Sequence, residues 1–207
     1  MASILDILNT KTGDQLLEKI TQKTGLKKEK AVTALGMAMP MILGALKQNS
    51  EDEQGSKKLN AALESDEHNG QLLNNLSEHD TDEVSRKGDK ILDHILGDKK
   101  DEIAAALSAS LGIDKNVVGT VLSMAAPVIM SLLGSQKRKD NVKTSGLSSL
   151  IGSVLGSSAA HDTSFINSLL DKNQDGSVVD DVTGMILGGG KNKSKGGSIL
   201  KGFTGGK

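Results

Sequence analysis

The chain has 207 residues and a formal net charge of -1, so no global charge attracts it to nucleic acid or to an acidic membrane. It contains no Cys, which excludes disulfides, thiolate metal sites and a Cys nucleophile. With no Trp, no Tyr and only two Phe, the core must consist of Leu, Ile, Val, Met and Ala. Leu, Met and Ala are good helix formers, whereas strands favour β-branched and aromatic residues. The composition therefore predicts an all-α protein.

The first fifteen residues, MASILDILNTKTGDQ, lack the basic region and the long apolar run of a secretory signal. We therefore expect a cytoplasmic protein by default. Export by a route that needs no cleaved signal is the alternative.

Two segments of the chain, 4–47 and 91–134, align without a gap at a constant offset of 87 residues. Thirteen of the 44 aligned positions are identical, and the only two prolines, Pro40 and Pro127, fall on each other. Chance is a poor explanation for this agreement, so we infer an internal duplication. We expect a duplicated helical bundle with a first repeat, a second repeat and a flexible Gly/Lys-rich tail at 1–90, 91–190 and 191–207.

Each copy has the pattern of a helix, a turn and a long apolar helix. Gly25 and Gly112 stand where a left-handed residue would end the first helix. Proline inside a helix removes one backbone hydrogen bond and clashes with the carbonyl four residues before it. We therefore expect a kink or a break at Pro40 and at Pro127.

More polar stretches follow each copy. The segments 47–58 and 135–146 are predicted to be exposed loops. An amphipathic helix is predicted over 145–158, because five apolar residues fall on one face: Leu147, Leu150, Ile151, Val154 and Leu155.

The long apolar helix has three interpretations. The stretch 117–134 has 18 residues without a charge, which is the lower limit for a membrane span. Its small and hydroxyl residues, and the amphipathic helices around it, favour a buried core helix instead. Helix–turn–helix DNA binding is disfavoured, because the second helix would have to present polar or basic side chains to base edges.

The stretch DKNQDGSVVDDV, residues 171–182, has the spacing of an EF-hand calcium loop. Such a loop places oxygen ligands at steps 1, 3, 5, 7, 9 and 12, with glycine at step 6. Asp171, Asn173 and Asp175 supply steps 1, 3 and 5, Gly176 stands at step 6, and Ser177 would offer its carbonyl at step 7. Hard oxygen ligands at this spacing are typical of Ca²⁺.

Step 12 departs from that pattern, because Val182 replaces the bidentate glutamate. A shortened loop could close with Asp181 as its last ligand. The alternative is a polar turn in which Asp180 or Asp181 only caps the next helix. In the first copy the counterparts of Asp175 and its glycine are Val84 and Ser85, so we expect one site, with weak affinity of about 10⁻⁴–10⁻³ M.

The residues form no catalytic constellation, and we predict a protein that is not an enzyme. The four histidines do not stand at metal spacing. His68 and His79 lie in polar segments that we expect to be exposed, His94 is expected to be a hydrogen-bonded helix histidine, and His161 has no second ligand nearby. No phosphate-binding loop, nucleophile motif or zinc pattern indicates a small-molecule substrate.

Four stretches resemble the bacterial domain-of-unknown-function family that includes YidB: ILDHILG at 91–97, LGID and MAAPVIMSLLG within 111–134, GLSSLIGSVLG at 146–156, and LLDKNQDGSVVDDVTGM at 169–185. The resemblance covers most of residues 80–190. It implies an all-helical fold and no particular activity.

The sequence thus predicts a non-catalytic structural or interaction protein with one weak calcium loop. Its partner would be another protein or a second copy of itself, and nucleic acid is not expected. The alternative function is a membrane-active protein that inserts its two proline-containing helices into a bilayer.

Overall fold

A computed structural model describes residues 4–156 of the chain. Within that range it contains helices and no strands, so the prediction of an all-α fold is confirmed. Eight α-helices follow one another: α1 (Lys11–Thr24), α2 (Lys28–Glu51), α3 (Glu53–Glu64), α4 (Gln71–Asn75), α5 (Thr81–Leu96), α6 (Lys100–Leu111), α7 (Lys115–Lys139) and α8 (Leu147–Gly156). Short 3-10 helices occupy Ile4–Asn9, Asp66–His68, Leu76–Glu78, Gly97–Lys99 and Thr144–Gly146.

The predicted ends of the first helix in each copy are confirmed. Helix α1 ends at Gly25 with φ of 71°, and α6 ends at Gly112 with φ of 60°. Both glycines are left-handed, and each donates its backbone N–H to a carbonyl of the last helical turn. A side chain in that conformation would strain the backbone, which explains why glycine occupies both positions.

Both prolines lie inside continuous helices, so the break that the sequence suggested is absent. Pro40 falls within α2, and Pro127 falls within α7. The missing N–H of Pro127 leaves the carbonyl of Ser123 without its usual helical donor. Helix α5 crosses α7 at that carbonyl, where a Cβ atom on Gly88 would lie only 1.6 Å from the Ser123 oxygen. The contact with α5 covers the backbone group that the proline leaves free.

Residues of both copies contribute to one hydrophobic core. Helix α7 packs against α2, α5 and α6, and α8 packs mainly against α2. The predicted amphipathic helix is confirmed, since all five of its apolar residues are buried: Leu147, Leu150, Ile151, Val154 and Leu155. The repeat boundaries at 1–90 and 91–190 stay predictions, and the tail at 191–207 lies outside the described residues.

In the segment 135–146 a connection at 140–143 separates the end of α7 from the 3-10 helix Thr144–Gly146, so a loop is present there but is shorter than predicted. The segment 47–58 is helical on both sides of Asp52, so the prediction of a loop there was wrong. Helix α2 continues to Glu51 and α3 begins at Glu53, which leaves Asp52 as a one-residue joint. The Asp52 carboxylate accepts a hydrogen bond from the backbone N–H of Gly55 at 2.7 Å and so caps α3. Polar residues in this stretch lie on exposed helix faces rather than in a loop.

Helices α2 and α7 are long and apolar enough to cross a membrane by length and composition alone. In the fold, 78% of the apolar stretch of α7 is buried by other helices, and the corresponding share for α2 is 50%. A buried core helix of a soluble protein can have the same length and apolar composition as a membrane span. The burial of α7 favours the core interpretation over the membrane-active alternative.

Candidate interaction groove

The predicted calcium ligands lie outside the described residues: Asp171, Asn173, Asp175, Ser177 and Asp181. Residues 4–156 contain no group of three or more His, Asp or Glu side chains that could hold a metal ion. The first-copy counterpart of Asp171 is Asp80, whose carboxylate accepts a hydrogen bond from the backbone N–H of Glu83 at 2.9 Å and caps α5. The counterpart of Asn173 is Asp82, which forms an ion pair with Lys23 of α1.

A groove of about 1240 Å³ lies between α3, α5 and the connection that joins these helices. Its apolar lining comes from both walls and from α7: Leu59, Leu72, Ile91, Ile95, Pro127 and Met130. Leu72, Ile91 and Ile95 pack only in part against the core and are half-buried. Pockets for small molecules are typically about 300–1,000 Å³, so this groove suits a larger ligand.

The α5 wall of the groove is basic. Arg86, Lys87 and Lys90 are exposed on this wall. Lys87 forms an ion pair with Glu83 at 2.9 Å, and this hydrogen bond holds the pKa of the Glu83 carboxyl below its ordinary value. Within the described part of the chain, Arg86 and Lys90 make no ion pair. Their charges therefore face solvent along the α5 side of the groove, whose remaining lining includes the acidic residues Asp52, Asp66, Glu67 and Glu78.

The connection between α3 and α4 closes one end of the groove, and the end of α7 fixes it in place. The Arg138 guanidinium donates hydrogen bonds to the carbonyl oxygens of Glu64, Ser65 and His68 at 3.0, 2.8 and 2.9 Å. These carbonyls belong to the end of α3 and the turn after it, where α-helical donors are absent. The Ser65 carbonyl also accepts the backbone N–H of His68 at 3.2 Å. Arg138 thus caps α3 and holds the connection.

Two neighbouring residues of α7 strengthen this attachment. Lys137 is buried and donates to the Glu64 carboxylate at 2.8 Å, which lowers the pKa of that carboxyl. Gly134 permits a close approach, because a Cβ atom there would lie 2.0 Å from the His68 carbonyl oxygen. The end of the groove is therefore built on a rigid contact with α7.

Three of the four histidines line the groove: His68, His79 and His94. His68 is 9% exposed, so the expectation of an exposed side chain was wrong. Burial lowers its pKa below the ordinary value, and the Arg138 charge acts in the same direction. The expectation for His94 is confirmed, since its Nδ1 lies 2.7 Å from the carbonyl oxygen of Lys90. His161 lies outside the described residues.

Helix α5 is also held on α7 and α6 by polar contacts away from the groove. The Ser123 hydroxyl donates to the Asp89 carboxylate at 2.5 Å. Lys100 of α6 forms ion pairs with Asp89 at 3.1 Å and Asp93 at 2.9 Å. Burial lowers the pKa of Lys100, but hydrogen bonds to Asp93 and Asp89 outweigh it, so the pKa lies above its ordinary value. The basic wall of the groove therefore has a fixed position.

The sequence analysis did not predict the groove or the role of Arg138, which holds the connection between α3 and α4 at one end of it. Arg138 stands in a run of lysines and arginines, SQKRKD, that indicated only a solvated loop. No local pattern marks it as the residue that caps a helix more than 70 residues earlier in the chain. Ile91 and Ile95 are four residues apart, and this spacing was the one available signal for an apolar wall of the groove. The sequence analysis interprets it only as the start of the second copy.

The helices place the chain in the class of all-α proteins. The model of a family described as "Bacterial protein of unknown function (DUF937)" matches residues 6–136 and 138–207. The chain belongs to this family, which confirms the resemblance to a bacterial family of unknown function. The family has no known function, and no enzymatic family is indicated. No curated protein matches the chain, and no solved structure matches it.

Proposed function

We propose that the protein is a non-catalytic helical interaction module that binds an amphipathic helix of a partner protein in the groove between α3 and α5. The observation that supports this proposal is a groove of about 1240 Å³ in which the apolar side chains of Leu72, Ile91 and Ile95 are only partly covered. Binding of a helix in a groove buries an apolar stripe with residues at i, i+3, i+4 and i+7. Leu72, Ile91 and Ile95 would contact that stripe.

The partner helix is acidic on the side that faces α5. Arg86, Lys87 and Lys90 line this wall, and only Lys87 has an ion-pair partner among the described residues. Complementary charges at the edge of an interface steer association and select the orientation of the partner. A helix with glutamates beside its leucine stripe fits this wall, whereas one with lysines meets like charges.

Two labelled model peptides test this proposal. Both have the same leucine stripe at helical spacing, with glutamates beside it in one and lysines beside it in the other. The full chain should bind the glutamate peptide at least tenfold more tightly, a difference of about 1.4 kcal/mol, as measured by fluorescence anisotropy. The chain has no Trp or Tyr, so the label is the only strong fluorophore.

A charge-reversed variant locates the binding. Arg86→Glu with Lys90→Glu should abolish the preference for the glutamate peptide and favour the lysine peptide instead. The matched control, Lys27→Glu with Lys30→Glu, makes the same change of charge on exposed residues at the start of α2, outside the groove. Equal affinity for the two peptides, or an equal effect of the two variants, would contradict the proposal.

We further propose that residues 171–181 bind one calcium ion weakly, which rests on the ligand spacing of Asp171, Asn173 and Asp175. A ligand that binds only the folded state raises the melting temperature. Calorimetric titration of the full chain should therefore give about one site with a dissociation constant of ~10⁻⁴–10⁻³ M. Asp175→Ala should remove both the heat of binding and the rise in melting temperature. Absence of binding at millimolar calcium would leave the stretch as a capped turn.

A further inference from the structure

The two helical walls of the groove run antiparallel. Helix α3 ends at Glu64, just before the connection, and α5 begins at Thr81, just after it. At the opposite end, the Asn49 side chain at the end of α2 donates a hydrogen bond to the carbonyl oxygen of Ile95 at 3.0 Å. This bond brings the end of α5 close to the start of α3, because α3 begins two residues after α2 ends. The groove therefore has a connection end and an opposite end.

The connection end of the groove is acidic. Asp66, Glu67 and Glu78 line this end and are exposed. None of them forms an ion pair within the described range. Arg86, in the second turn of α5, offsets one of the three charges. The buried His68 imidazole adds no positive charge near neutral pH, because burial holds its pKa below the ordinary value.

Farther from the connection, each wall carries an unpaired cation. Lys58 lies about 9 Å before the end of α3, and Lys90 lies about 13 Å after the start of α5, at a helical rise of 1.5 Å per residue. Both lysines line the groove and are exposed, and neither forms an ion pair among residues 4–156. Asp52, the acidic lining residue of this half, is occupied as the N-cap of α3. This half of the groove is therefore positive.

We infer that the partner helix lies in the groove in one direction, with its N-terminus at the connection and its last turns, which carry carboxylates, between Lys58 and Lys90. This inference rests on the proposed function. A helix carries about +0.5 elementary charge at its N-terminus and about −0.5 at its C-terminus. The acidic connection attracts the first, and the two lysines attract the second. The partner then runs parallel to α5, and Lys58 selects it from the wall opposite α5.

Disulfide exchange with a peptide measures the direction, because the full chain has no Cys of its own. The probe is a leucine-stripe peptide with lysines in its first turn, glutamates in its last two turns and an activated cysteine at one terminus. Asn75→Cys places a thiol at the connection end, and Gln54→Cys places one near the opposite end. Both residues are exposed and line the groove.

The two probes should react at opposite ends of the groove. The probe with an N-terminal cysteine should react about tenfold faster with Asn75→Cys, and the probe with a C-terminal cysteine about tenfold faster with Gln54→Cys, because proximity raises the effective concentration. Equal rates at the two thiols, or the reverse pattern, from a peptide that binds by anisotropy would overturn the direction and leave the proposed function intact. Failure of every leucine-stripe peptide to bind would overturn both.

Two substitutions on α3 give a second readout. Lys58→Glu should weaken binding of the same peptide about fivefold, because a like charge would then face its terminal glutamates. Lys57→Glu is the matched control, since Lys57 is exposed, does not line the groove and pairs with Glu53. Solvent screens a charge at that position, so the affinity should stay within about twofold of the natural chain. An equal effect of the two substitutions would overturn the inference.

Discussion

Replacement of Gly88 by valine should lower the free energy of unfolding by about 3 kcal/mol, near the upper end of the usual cost of overpacking. A Cβ atom at this position would lie 1.6 Å from the Ser123 carbonyl oxygen, 2.5 Å from its carbon and 3.0 Å from its Cα. These are backbone atoms of the central core helix, so they cannot rotate away. The two helices must separate, and core contacts around the crossing weaken.

Chemical denaturation followed by far-UV circular dichroism measures this loss, because the chain lacks Trp and Tyr for fluorescence. Gly119→Ala is the matched control on the same crossing partner, α7. A Cβ atom on Gly119 would meet nothing within 4 Å, so alanine should stabilise the helix by about 0.5–1 kcal/mol. Similar effects of the two substitutions would show that α5 does not cross α7 as closely as the geometry indicates.

The Gly88 crossing also illustrates which parts of the fold the sequence could predict. Local signals were sufficient for the two left-handed caps at Gly25 and Gly112, and for the buried face of α8. In each case the determining residues lie within one or two turns of one another. Pro127 predicted that the carbonyl of Ser123 lacks its helical donor. It did not predict that α5 covers this carbonyl, because Gly88 lies 35 positions away in the sequence.

The wrong loop prediction at 47–58 has a physical cause as well. The stretch KQNSEDEQGSKK is polar throughout, and polarity alone indicated a loop. Charged residues that face solvent are equally compatible with a helix when an apolar residue, here Leu59, contacts the core once per turn or two. Asp52 supplies an N-cap in a single residue, so the chain changes direction without a loop.

The candidate groove could not be predicted from the sequence, because its lining comes from four parts of the chain that meet only after folding. Leu59, Leu72, Ile91 and Met130 each look like ordinary core residues in their own helices. The burial of His68 has the same origin, since it depends on Gly134 and Arg138 of α7. The calcium prediction, in contrast, used contiguous residues, and it stays a prediction because those residues lie beyond the described range.

The shared core has a consequence for unfolding that one matched pair of substitutions can test. Leu35 of α2 and Leu122 of α7 are equivalent in the duplication, and both are 0% exposed. Truncation of a buried leucine to alanine typically costs about 2–5 kcal/mol, from lost transfer free energy and from the cavity left behind. We expect Leu35→Ala and Leu122→Ala each to lower stability by this amount.

The shape of the unfolding transition shows more directly than its midpoint whether the two copies unfold together. Because α2 packs on α7 and α8 packs on α2, neither copy buries its own apolar face alone. Each substitution should therefore shift the whole helical signal of the described helices as one cooperative transition. If the two copies folded as separate units, Leu35→Ala would move only part of the signal and Leu122→Ala the remainder. Thermal unfolding of the two variants by circular dichroism and calorimetry separates these outcomes, and a two-step melt in either variant would contradict a single core.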